Sequence, residues 1–244
     1  MVVLSQFLEH HSSDKSQDSE RGKESRKPFV FPGSLLPSAV LFDWDNTLVD
    51  TWKTIFHAVN KTLVTFGLEA WEEDFALSHI QHSGREAFPK LFGDKAKEAQ
   101  KFFYQVVEED NLQGLNPMPE AEALLHILAV ERRIPVGVVS NKNALLLRKE
   151  VSYLGWEDYF GVLVGAGDAI QDKPAAAPIL LALQGLGIPA STQVWMVGDA
   201  PVDWDCANAA GCRAIAIGNR FDPLPSVFVS IENCCELKKI FTKM

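Results

Sequence analysis

Hydrophobic and polar positions along the chain fall into two rhythms. Short apolar runs at Val40-Leu41-Phe42, Val136-Gly137-Val138-Val139, Val162-Leu163-Val164, Val194-Trp195-Met196-Val197 and Ala214-Ile215-Ala216-Ile217 read as buried strands. Between them the spacing turns helical. Pro119 opens a helix with Leu124, Leu125 and Leu128 on its buried face, another helix ends near Leu154-Gly155, one from about Ala176 to Leu186 stops at Gly187, and a short one runs to Ala210-Gly211. Strands alternating with helices predict an α/β, Rossmann-like fold, a parallel sheet with helices on both faces.

One stretch breaks this alternation. Trp52, Ile55, Phe56, Val59, Leu63 and Phe66 recur at helical spacing before Gly67, and further apolar groups at Phe75 to Ile80, Phe88 to Phe92 and Phe102, Phe103, Val106, Val107 continue the helical pattern. No period-two strand interrupts it, so residues 51–114 are expected to form a small helical insert within a core made of 38–50 and 115–244. Residues 9–27 hold no large apolar side chain and cannot offset the entropy of being ordered, which makes 1–37 a tail and lead-in. The His10-His11 pair in that tail is given no role.

Composition narrows the class. With 244 residues, 47% of them hydrophobic, the chain can build one sizeable core and a smaller accessory unit. Its net charge of -9 disfavours nucleic-acid and anionic-membrane partners while leaving room for a local basic pocket. No apolar run approaches bilayer length and the opening residues lack a signal pattern, so the protein is expected to be cytoplasmic, a monomer or weak homodimer acting on a small molecule. Cys206, Cys212, Cys234 and Cys235 form no CxxC pair and read as idle thiols.

Candidate chemistry gathers at the carboxyl ends of the predicted strands, where open α/β sheets place their ligands. Asp43 and Asp45 follow the first, Ser140-Asn141-Lys142 the second and Gly198-Asp199 the fourth, while Lys173 precedes a helix. In extended geometry Asp43 and Asp45 point one way and Trp44 the other. Two such carboxylates repel unless a cation or a proton neutralises one. Each group alone has a plainer reading: turn-forming acids, Ser140 or Asn141 as a helix N-cap, Asp199 and Asp203 as caps, a solvated lysine. A calcium loop over Asp43, Asp45 and Thr47 fails, since Leu48 stands where the turn glycine belongs and Thr54 where the bidentate Glu belongs. Taken together, oxygen-only acidic ligands suit Mg²⁺, and a magnesium site beside a hydroxyl and a lysine is a phosphate site.

These residues resemble the haloacid dehalogenase-like hydrolases, in particular the phosphoglycolate-phosphatase-like branch with a small helical cap. The likeness runs from Ser38 to Phe241 and rests on Asp43-Trp44-Asp45-Asn46-Thr47-Leu48-Val49-Asp50, Val138-Val139-Ser140-Asn141-Lys142, Lys173-Pro174 and Val197-Gly198-Asp199-Ala200-Pro201-Val202-Asp203, in that order. The resemblance implies a Mg²⁺-dependent phosphatase that cleaves a small phosphate monoester, phosphoglycolate-like or a sugar phosphate, through an aspartyl-phosphate. It makes Asp43 the nucleophile and Asp45 the acid and base. The metal falls to Asp43, Asp199, Asp203 and the backbone carbonyl of Asp45; the transferring oxygens fall to Ser140, amides near Asn141, and Lys173. Thr47 orients the loop.

Asn46 stands where the family most often has Gly, and Ala200 where Ser or Thr is frequent. The aspartate at position 45 separates the chain from dehalogenase and phosphonate-cleaving relatives, which lack it. A sugar-phosphate mutase, or a silent binding protein that keeps the fold, is the alternative. In the insert, Lys53, His57, His82, Arg85 and Lys90 are the candidates for the organic part of the substrate, with Arg85, expected in a loop, suited to a carboxylate or second phosphate. His79 and His82 could face together on a helix, without a third ligand nearby for a metal.

Overall fold

The computed structural model describes residues 36–111 and 115–243; residues 1–35 of the expected tail, with His10 and His11, lie outside them. The chain opens with β1 (Ala39–Phe42) and β2 (Val49–Asp50), then passes through α1 (Trp52–Thr65), α2 (Glu73–His79), α3 (Gly84–Phe92) and α4 (Ala96–Asn111). After β3 (Asn116–Pro117) and α5 (Ala121–His126) strands and helices alternate: β4 (Val136–Asn143), α6 (Ala144–Leu154), β5 (Val162–Ala166), α7 (Ala177–Leu186), β6 (Val194–Gly198), α8 (Pro201–Ala209), β7 (Arg213–Ile217), β8 (Val229–Ile231) and α9 (Cys234–Lys243).

Six strands form one parallel sheet in the order β5-β4-β1-β6-β7-β8. Counted along the chain this is the doubly wound order, which reverses direction beside β1 and opens a crevice at the carboxyl ends there. β1 is buried on both faces because its four residues, Ala39 to Phe42, carry no polar side chain and pair with β4 on one side and β6 on the other. Leu41 packs with Met196, Val139, Ile179, Leu183 and Trp204 in the largest described core cluster. On the opposite side of the chain's first turn, Trp44 is fully buried, edge-on to Trp156 at 5.9 Å and Phe160 at 6.3 Å. α9 docks through Phe241, whose ring lies 5.6 Å from Trp195.

The helix stops follow the expected chemistry. Gly155 and Gly187 close α6 and α7 in the left-handed region, φ 68° each. Three elements carry too little pattern to read in advance. β2 and β3 pair as a two-stranded antiparallel ribbon, each only two residues long, and β3 contains Pro117, which reads as a breaker. β8 is a three-residue edge strand behind a proline-containing loop. A further difference concerns β4, which continues to Asn143 through a register shift after Val139. Ser140, Asn141 and Lys142 therefore sit within the irregular end of the strand rather than beyond it. The N-cap of α6 is Asn143, whose side chain accepts from the Leu145 and Leu146 amides, and not Ser140 or Asn141.

Among the described residues, no helix is long and apolar enough to cross a membrane.

Since Leu41 sits at the centre of the sheet with no exposed surface, Leu41→Ala should lower stability by about 2–5 kcal/mol. Urea unfolding followed by circular dichroism measures this; a loss below about 1 kcal/mol would contradict the placement of β1 between β4 and β6.

Candidate active site

Strand geometry ends at Phe42, and the turn after it decides where the acids go. The Asp43 amide donates to the Val197 carbonyl at 2.9 Å, which extends the β1–β6 pairing by one bond and fixes Asp43 against β6. The chain then folds back, with the Leu48 and Val49 amides on the Trp44 carbonyl. Asn46 takes φ 61° at this turn. That left-handed conformation is costly for most side chains but open to Asn, which is why Asn serves where a glycine is common.

Asp43, Asp199 and Asp203 converge on one point. Each offers a carboxylate oxygen, and these atoms all lie within 4.8 Å of one another, with all three residues buried. Asp199 leaves the end of β6, and Asp203 sits one turn into α8, where it also accepts the Ala200 amide at 3.1 Å, so the expected capping role and the clustering coexist. Gly198 makes the approach possible, because a Cβ there would collide with the Asp203 carboxyl group. Three hard oxygen donors so placed suit a divalent cation of the Mg²⁺ or Ca²⁺ kind.

Lys173 closes the cluster. Its Nζ lies 2.6 Å from Asp43 Oδ1, 2.6 Å from Asp203 Oδ1 and 2.9 Å from the Val139 carbonyl, and the side chain is buried. Burial pushes the Asp43 carboxyl up to about 7; Lys173 opposes the shift, while Asp203 and Asp45 add to it. Burial raises Asp199 as well, helped by Asp203 and Asp43. For Lys173 burial works downward, yet the attraction of Asp203 and Asp43 outweighs it and holds the ammonium above its ordinary range.

Asp45 belongs to a different network. Its Oδ1 accepts from Lys142 Nζ at 2.6 Å and from Thr51 Oγ1 at 2.7 Å. Lys142 lies 3.1 Å from Glu150 Oε1, and Glu150 Oε2 accepts from the Trp44 indole at 2.6 Å. Burial and the carboxylate of Asp45 raise the Glu150 carboxyl, against the pull of Lys142. Burial would lower Lys142, but Asp45 and Glu150 outweigh it and the shift is upward. Sequence reading assigned no role to Lys142, Glu150 or Thr51. A signal for one of them was present: Glu150 interrupts the buried stripe Leu146, Leu147, Val151 of α6, and a carboxylate on an apolar helix face requires a partner.

The remaining expected residues divide. Ser140 is buried, with Oγ accepting the Lys142 amide at 3.2 Å. The Asn141 amide bridges three segments: it donates to the Gln81 carbonyl at 2.9 Å and the Lys173 carbonyl at 3.0 Å, and accepts the Lys173 amide at 3.0 Å. Both residues line the cavity above the carboxylates. Thr47 is buried away from that cavity, its hydroxyl 3.5 Å from Asp199 Oδ1. Arg85 lies in the first turn of α3, not in a loop, and the Nε and Nη2 edge of its guanidinium donates to the two oxygens of Asp172 at 2.6 and 2.8 Å, with Nη2 also 3.1 Å from the Ala169 carbonyl. Of the five insert candidates only His82 lines the cavity. Lys53 and His57 fall on the other side of α1 from Trp52, Ile55 and Val59, which do line it, and Lys90 is exposed on α3. α2 ends at His79, so His79 and His82 share no helix face. Cys206, Cys212 and Cys234 are buried free thiols.

Comparison with known proteins agrees with this geometry. The family described as haloacid dehalogenase-like hydrolase matches residues 40–217. A phosphoglycolate phosphatase of Yersinia pestis is 30% identical over 207 residues, covering 80% of this chain and 87% of its own length. One from Neisseria meningitidis is 32% identical over 188 residues, 73% of this chain and 79% of that protein. The crystal structure of a HAD-superfamily hydrolase from Ehrlichia chaffeensis superposes with a TM-score of 0.60 at 28% identity, over 86% of this chain and 98% of the other. A match over most of the described core, carrying the buried acids at β1 and β6 with it, means that the chain belongs to the haloacid dehalogenase-like hydrolase family, in its phosphoglycolate-phosphatase-like branch, and is an enzyme of the phosphatase kind.

Proposed function

We propose that the protein is a Mg²⁺-dependent phosphatase that hydrolyses a small phosphate monoester in two steps on Asp43, with helices α1–α4 acting as a cap over the site. The observation that carries this reading is the buried meeting of Asp43, Asp199 and Asp203 with the Lys173 ammonium 2.6 Å from two of them. That arrangement supplies a nucleophile, a cation site and a fixed positive charge at one point.

In the first step an Asp43 oxygen bonds to phosphorus and the ester P–O bond breaks, its electron pair leaving with the alcohol oxygen. Asp45, as the acid, protonates that oxygen. In the second, Asp45 takes a proton from water, the water oxygen bonds to phosphorus, and the bond to Asp43 breaks to return the carboxylate and release phosphate. Lys173 lowers the repulsion between an anionic nucleophile and an anionic ester, and Ser140 with the amides near Asn141 binds the non-bridging oxygens. Asp43, Asp199, Asp203 and the Asp45 backbone carbonyl would hold Mg²⁺, which neutralises charge on the transferring group. Lys142, fixed by Glu150, positions the Asp45 carboxylate by the 2.6 Å contact. A mutase needs a site that returns a phosphate to a second hydroxyl of a sugar, and the apolar walls of this cavity give it little to hold such a substrate.

Three outcomes are expected. Phosphate release from a panel of esters that includes phosphoglycolate should require Mg²⁺ and fall on the order of 10³-fold or more in Asp43→Asn; release that survives the substitution would remove Asp43 from the chemistry. Because the folded pKa of Asp43, about 7, lies above its ordinary value of 3.8, the metal-free protein loses stability from this group as pH rises from about 4 through 7. A cation takes the place of those protons, so Mg²⁺ should raise the melting temperature more at pH 8 than at pH 5; calorimetry showing an equal rise at both would count against the carboxylate site. Finally, Lys142→Met should slow hydrolysis of an alkyl phosphate, whose leaving oxygen needs the proton, by about 10²-fold, and that of p-nitrophenyl phosphate much less. Equal losses on both would separate Lys142 from Asp45.

A further inference from the structure

The cavity that opens from Asp43 and Asp199 into the insert has a volume of about 160 Å³. An apolar cavity of about 150 Å³ takes a benzene ring. Its wall on α1 is Trp52, Ile55 and Val59, three positions on one helix face, and further in come Trp71, Ile80 and Leu91. All six are half-buried. They are apolar surface that faces the space directly above the reacting groups.

The cations that border this space already have carboxylate partners. Among the described residues that line it, the lysines and arginines are Lys142, Lys173 and Arg220. Lys142 is committed to Asp45 and Glu150, and Lys173 to Asp43 and Asp203. Arg220 lies over the Trp52 ring at 4.8 Å and is paired, at 3.9 Å, with Asp199 Oδ2. Arg85, the guanidinium suited to a carboxylate, is held by Asp172 and lies outside the lining. Of the two lining histidines, His79 stacks on the Phe75 ring at 3.8 Å with its Nδ1 2.8 Å from the Phe75 carbonyl, and His82 is exposed.

We propose that the organic group accepted here is apolar and about the size of one ring, so that the substrates are phosphate monoesters of aromatic or aliphatic alcohols rather than of hydroxy acids or sugars. This rests on the phosphatase reading above. A carboxylate placed against Trp52, Ile55 and Ile80 loses its water and gains no charge partner from that wall, and a set of hydroxyls there meets mostly apolar surface, with Asn46, Gln81 and Tyr104 elsewhere in the lining. A ring placed there exchanges water for apolar contact on several sides. In such pockets a single methylene already discriminates by roughly 10–200-fold.

The test compares kcat/KM of the full chain with Mg²⁺ on benzyl phosphate, phosphoglycolate and glucose 6-phosphate, with acetyl phosphate as a small activated control. Benzyl alcohol and the glycolate hydroxyl leave with similar ease, so binding decides their ratio. Benzyl phosphate should exceed the other two esters by at least about tenfold, and Ile55→Arg, a change at a half-buried helix position, should lower that ratio by a similar factor. Turnover of acetyl phosphate with phosphoglycolate or the sugar phosphate preferred, or equal, would overturn the proposal while leaving the phosphatase reading in place. Failure to release phosphate from all four would overturn the phosphatase reading instead. The pocket is then judged by calorimetry, where benzylphosphonate binding no tighter than phosphonoacetate overturns it.

Discussion

Three buried carboxyl groups share one buried ammonium, and the rest of the molecule is arranged to make that tolerable. Asp43, Asp199 and Asp203 would repel one another strongly in a medium of low polarity; Lys173 at 2.6 Å from two of them compensates in part, and Arg220 stands 3.9 Å from Asp199. The imbalance is visible in the direction of the shifts: burial carries Asp43 and Asp199 upward even with Lys173 present. A cluster left short of positive charge is one that gains from a divalent cation or from a substrate brought in with one. The sheet bears the constraint. β1 and β6 end side by side, the Asp43 amide is bonded to Val197, and Gly198 leaves the space into which the Asp203 carboxyl fits.

A second buried charge network runs parallel to the first without touching the same acids. Trp44 lies between Asp43 and Asp45 in sequence and turns to the opposite side, where its indole binds Glu150; Glu150 binds Lys142, and Lys142 binds Asp45. Two aspartates two residues apart are thus held by two different lysines from two different segments. The separation lets one acid stay with the cation site while the other has its own positioning partner. It also makes Trp44 more than filler, since its packing on Trp156 and its bond to Glu150 anchor both ends of the arrangement.

Much of this could be read from the residues alone. Apolar runs of three or four residues marked five of the six sheet strands, and glycines at 155 and 187 marked helix ends, because burial on both faces and left-handed caps leave strong local signals. The acids at the ends of β1 and β6 stood out for the same reason. β2, β3 and β8 did not, being two or three residues long and held by pairing partners distant in sequence. Charge partners were the other blind spot. Glu150 and Lys142 are eight residues apart, and nothing in the spacing says that an α6 carboxylate reaches back to the strand that precedes its own helix. Arg85 shows the converse: a guanidinium looks available in a sequence until the structure places Asp172 against it.

α1 exposes a limit of periodicity itself. Trp52, Ile55, Val59 and Leu63 form the apolar stripe that ordinarily packs into a core, and Leu63 does so. The first three stay half-buried and border open space above Asp43. A stripe of this kind has the same spacing whether it meets protein or ligand. The distinction appears only when burial falls short of what the hydrophobicity calls for, on the side that faces reacting groups. Where a helix face is apolar, continuous and incompletely covered, it leaves surface that an entering group can cover, and here that surface lies beside Asp43 and Asp199.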